Sequence, residues 1–112
     1  LLLDWLRDAL AAPAAEFPEF PAALSLLAIL TPGDVLAHLE RREVHLVAEV
    51  AGLEGGLRAL AIPRLFLVED EYRLAVLRAE LEWVTSVIDD LRSGELTWTE
   101  EWAREQASTD PG

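Results

Sequence analysis

Two histidines, His38 and His45, lie seven positions apart and are flanked by Asp34 and Glu49. On a helix, seven residues advance about 10.5 Å along the axis, too far for both imidazoles to reach one ion. Asp34/His38 and His45/Glu49 are each spaced i,i+4, so each is a half-site that needs ligands from elsewhere. The reading is therefore a solvated helix face with local pairs, and neither a metal nor any other cofactor is expected. The run Glu69-Asp70-Glu71 suggests an acid cluster, but consecutive helical residues point about 100° apart and three such carboxylates do not converge. Glu54/Arg58, Glu69/Arg73 and Glu100/Arg104 place an acid four residues before a base, the order that supports a helix. Ser25 and Ser86 lack the strained-turn glycines of a nucleophile elbow, and GLEGG at 52–56 lacks the Lys of a phosphate loop.

Composition removes further chemistry. The 112 residues contain no Cys, which excludes disulfides, thiolate nucleophiles and Cys-ligated metals. All nine basic residues are Arg, so a Schiff-base lysine is excluded too. A net charge of −12 argues against a nucleic-acid surface, which requires Lys and Arg clustered on one face. The longest uncharged run, 20–33, holds two prolines and is shorter than the roughly 20 residues of a bilayer-spanning helix. No basic stretch precedes the opening leucines, so they do not read as a signal peptide. With no membrane element expected, the chain reads as soluble and cytoplasmic. Lacking Met, it reads as a segment of a longer protein.

Any remaining function must be carried by apolar and aromatic side chains on helices. Many Ala and Leu and few β-branched residues predict an all-α chain. Residues 2–11 form a short amphipathic helix ended by Pro13, and 14–21 an extended connector whose Phe17 and Phe20 can anchor on a core. Residues 22–30, apolar nearly all round, predict a compact buried helix. Thr31-Pro32-Gly33-Asp34 is a helix start: a capping hydroxyl, a proline whose missing N–H costs nothing, and an acid at the positive end of the dipole.

The helix that follows has an apolar seam at Leu36, Leu39, Leu46, Val50, Leu53, Leu57 and Leu60, with Glu43 as its one polar break. Gly52, Gly55 and Gly56 predict fraying or a kink in its second half. After a turn at 61–63, a second long helix is expected from 64 to 93, stopped by Gly94 in a left-handed cap. Its seam is Leu67, Leu74, Leu77, Leu81, Val84, Ile88 and Leu91, broken by Asp70. A second stripe, Tyr72, Val76, Ala79, Trp83 and Val87, occupies another face. Two stripes imply that this helix is covered on two sides. Thr97 or Thr99 caps a short helix bearing Trp98 and Trp102, and 107–112 read as a disordered tail.

Folding the two long helices back about Ile62 sets Glu43 opposite Leu81. Glu43 is then expected to reach Arg78, an Arg of another chain, or the rim. A catalytic acid at Glu43, as in an all-helical enzyme of the chorismate-mutase kind, is the competing reading and lacks convergent polar groups. A third reading has Trp83, Trp98 and Trp102 lining a pocket for an aromatic effector; their alternative role is packing between helices.

Several stretches taken together resemble the C-terminal domain of PadR-like transcriptional regulators. They are DWL at 4–6, EFPEFPAALS at 16–25, LTPGDVLAHLERR at 30–42 and PRLFLVEDEYRLAVLRAELEWVTSVIDDLRSGELTW at 63–98. The likeness runs from about Asp4 to Trp102 and rests on order and spacing. It implies a non-enzymatic domain that pairs two protomers, with operator DNA read by a winged helix-turn-helix N-terminal to this sequence. Residues 1–21 would then be the linker helix and connector leaving that head, and 22–106 the dimerisation domain, in some members also an effector sensor. The expected fold is an antiparallel, coiled-coil-like hairpin with short flanking helices, forming a homodimer. Leu74, Leu77, Leu81, Trp83, Val84 and Ile88 are its expected packed faces. Which stripe faces the second chain is open at this point.

Overall fold

The structure is a computed structural model and describes residues 2–4, 7, 24 and 27–109. Among these every regular element is helical. The expected connector at 14–21 with its two phenylalanines, the segment 110–112, and Trp5 lie outside the described residues.

Helix α1 spans Pro32–Ala59 and starts as its first residues dictate. The Thr31 hydroxyl accepts the Asp34 N–H at 3.1 Å, which satisfies one orphan donor of the first turn. The helix runs unbroken through Gly52, Gly55 and Gly56, contrary to the fraying expected there, and ends where the Leu60 N–H donates to the Gly56 carbonyl at 3.2 Å. Tertiary contacts hold that stretch: Leu53 and Leu57 are half-buried, and Glu54 is tied to the neighbouring helix.

Pro63 begins a single 3-10 turn, Arg64–Phe66, before helix α2, Val68–Ser93. This turn replaces the first α-helical turn expected from residue 64. The Arg64 guanidinium clamps it to α2 through Glu71 at 3.0 Å, and that hydrogen bond and adjacent charge raise the Arg64 pKa above its ordinary value. Gly94 terminates α2 at φ +84°, the left-handed cap anticipated for it. Thr99 caps the last helix, α3 (Glu100–Thr109), accepting the Trp102 N–H at 3.0 Å. Helical geometry thus reaches Thr109, beyond the start of the expected tail at 107, and Trp98 precedes α3 instead of lying on it.

Helices α1 and α2 fold back as an antiparallel pair and build the core between them. Val35, Leu39, Leu46, Val84 and Ile88 form its buried centre, with Leu36, Leu77, Leu81, Val87 and Leu91 packed around it. The pairing straddles Pro63 and Arg64, because the 3-10 turn lengthens the connection, and Glu43 comes to face Thr85 instead of Leu81. Residues 27–30 carry a 3-10 turn with Ile29 and Leu30 exposed, so the described end of segment 22–30 is not the buried helix anticipated. The radius of gyration is 19.0 Å, against about 13 Å for a compact domain of some 100 residues. Extents of 56 × 35 × 16 Å make the molecule elongated. Among the described residues each long helix has exposed positions on the side turned away from its neighbour.

Candidate functional site

The polar groups singled out in the sequence are spent on structure. Glu43 is half-buried in the seam and accepts the Thr85 hydroxyl at 2.9 Å. Arg78, one of the partners anticipated for it, instead donates to Glu54 at 2.8 Å, since the register set by the turn carries Arg78 toward the far end of α1. Arg73 pairs with Glu49 across the hairpin at 3.8 Å; the expected i,i+4 pair was with Glu69. The other two local pairs form as the spacing suggests, Arg58–Glu54 at 3.8 Å and Arg104–Glu100 at 3.7 Å. Arg42 makes the best-formed cross-helix contact, a two-pronged fork onto Glu80 at 3.0 and 3.2 Å. Eight of the nine arginines stand in ion pairs, which leaves little unpaired positive charge among the described residues to meet a phosphate backbone.

His38 donates its Nδ1–H to the Asp34 carbonyl at 2.7 Å and stays exposed, as does His45. Both border an open groove of about 440 Å³ with Arg41, Arg42, Glu49 and Glu80. Among the described residues no three His, Asp or Glu side chains gather as a metal site. Glu69 and Glu71 sit on different sides of α2, the latter held by Arg64.

The six residues anticipated as packed faces divide between the two sides of α2. Leu74, Val84 and Ile88 are buried, and Leu77 and Leu81 pack beside them, all on the face turned to α1. Trp83 lies on the opposite side and is 44% exposed. Beside it on the second stripe, Tyr72 is 72% and Val76 48% exposed, with Val68 and Ala79 exposed as well. The seam is thus consumed within one chain, while Tyr72, Val76, Ala79 and Trp83 of the second stripe are exposed and its last member, Val87, packs on the core. At the turn end the apolar surface continues through Leu60, Ile62, Leu65 and Phe66, all exposed. Large contiguous apolar patches on soluble proteins mark interaction sites. Periodicity located this stripe; only the structure shows which of the two stripes is covered.

The indoles of Trp83, Trp98 and Trp102 sit at different places in the described structure. Trp98 packs on the core and donates its Nε1–H to the Leu30 carbonyl at 2.8 Å, bridging 68 positions of sequence. Trp102 is on α3 and exposed, and Trp83 is on the outer side of α2. None of the three lines the grooves at 24–42, 38–80, 54–78 or 28–104. The first of these is an apolar trough of about 280 Å³ lined by Leu24, Leu27, Leu30, Val35 and Leu39 and rimmed by His38 and Arg42. Sequence reasoning missed Val35, whose four-residue spacing to Leu39 was the available signal. Among the described residues no helix is long and apolar enough to cross a membrane. Neither the family models, nor the curated proteins, nor the solved structures yield a match to this chain.

Proposed function

We propose that this chain is the cytoplasmic dimerisation domain of a PadR-like transcriptional regulator, a non-enzymatic spacer that fixes the separation of two winged-helix heads N-terminal to this sequence. The observation that carries the reading is the outer stripe of α2. One face of the helix is filled by α1, and a second row keeps Tyr72, Val76 and Trp83 partly exposed. Burying a large apolar side chain contributes about 1.5–3 kcal/mol relative to leaving it exposed, so a second copy that covers the stripe twice over gains substantially. The resemblance in order and spacing along 4–102 supplies the regulatory half of the proposal, and the pairing of basic side chains within the hairpin supports placing DNA contact elsewhere. A two-fold pair of such domains holds two heads at one distance, which suits an operator with two half-sites.

The test is a fusion. A monomeric winged-helix head joined to Leu1 is expected to bind a two-half-site operator far more tightly than the head alone, with a sharp optimum in half-site spacing. Binding no tighter than that of the isolated head, at every spacing, overturns the proposal.

A further inference from the structure

We infer that the face of α1 carrying His38, Arg41 and His45 is a binding site for a small, doubly charged oxyanion of the sulfate and phosphate type. The chain holds two histidines, and both stand on this row, one three residues before Arg41 and the other four residues after it. Such spacing keeps the three side chains on one side of a helix, with the imidazoles about 4.5 and 6 Å from Arg41 along the axis. All three border the same open groove of about 440 Å³. On a chain whose net charge is −12, the row is a local concentration of basic groups.

The acids at the groove are already engaged. Glu80 of α2 is held by the Arg42 fork at 3.0 and 3.2 Å, and Glu49 of α1 lies 3.8 Å from Arg73. Arg41 stands in no ion pair among the described residues. Its exposed guanidinium is the planar fork that suits an oxyanion. The His38 Nδ1–H is taken by the Asp34 carbonyl at 2.7 Å, which leaves Nε2 to gain a proton and act on a ligand. A metal ion needs ring nitrogens within about 2 Å, whereas an anion held by Arg41 feels both imidazolium charges through space. A unit charge about 5 Å away strengthens binding roughly fourfold in water. Between pH 6 and 8 histidine is the side chain that changes charge, so Asp34, Arg41, Arg42, Glu49 and Glu80 form a constant background. With two rings gaining charge over that interval, affinity at low ionic strength changes by about five- to tenfold.

The two imidazole resonances of the intact chain read the site directly by NMR. Sodium sulfate, doubly charged throughout pH 6–8, is titrated at low ionic strength against sodium chloride of equal ionic strength. Both resonances are expected to shift saturably with sulfate alone, and the affinity to be about five- to tenfold tighter at pH 6 than at pH 8. Arg41→Gln, on the exposed side of α1, is expected to abolish the saturation, and Arg104→Gln, on α3, to leave it intact. Inorganic phosphate and glycerol phosphate, compared in the same way at pH 7, show by the tighter binder whether the site takes the free ion or a monoester. An absent saturable shift, equal affinity at pH 6 and pH 8, or saturation that survives Arg41→Gln overturns the inference. A row already covered by another part of the chain gives the first of these results.

Discussion

Replacing Gly52, Gly55 and Gly56 together by Ala probes both the helix and its free face. All three are helical and exposed, and a Cβ placed on each meets nothing within 4 Å. Each substitution removes the excess backbone freedom of glycine from the unfolded chain without adding a clash, which is worth about 0.5–1 kcal/mol per site. The three together contribute about 1.5–3 kcal/mol, and for a chain of this size that corresponds to a rise in Tm of roughly 6–20 °C. The assay is thermal and urea unfolding of both proteins at one concentration, since association makes Tm concentration-dependent. The monomer–dimer Kd is measured alongside. The stripe on α2 predicts an unchanged Kd, because the glycines lie on α1. Unchanged or lower stability would refute a continuous, uncovered helix at 52–56, and a weakened dimer would move the interface to α1.

Three further outcomes follow from the core and the caps. Ile88→Ala removes a side chain with 0% exposure and is expected to cost about 2–5 kcal/mol in urea unfolding, the usual range for a fully buried aliphatic truncated to Ala. Glu43→Leu exchanges a half-buried carboxylate for an apolar seam residue, and the Thr85 hydroxyl can turn to its own helix; stability is expected to rise by up to about 1 kcal/mol. A loss larger than that would mark Glu43 as an essential part of the fold. Gly94→Ala forces a Cβ onto a φ of +84° and should cost about 1 kcal/mol by the same measurement.

The hairpin was readable because burial in it follows helical periodicity. Leu39, Leu46, Leu74, Val84 and Ile88 all lie on rows spaced three and four apart, and each is buried. The start at Thr31 and the stop at Gly94 were equally plain, since each is set by local chemistry within a few residues. What escaped the sequence depends on contacts distant along the chain. The 3-10 turn after Pro63 changes the register enough to send Arg78 to Glu54 and Glu43 to Thr85, and no periodicity records a turn of that kind. The Trp98 hydrogen bond to Leu30 is likewise invisible to local patterning. The two stripes on α2 were both legible, yet which one α1 takes shows only in the structure, where Leu74, Val84 and Ile88 are buried and Trp83 is 44% exposed.

Equilibrium sedimentation of the intact chain at micromolar loading puts the central claim to its plainest test. The proposed pairing through α2 predicts a mass of twice the 12.4 kDa chain. A single 12.4 kDa species that also melts in one cooperative step would contradict it, for such a molecule would have no need of a partner.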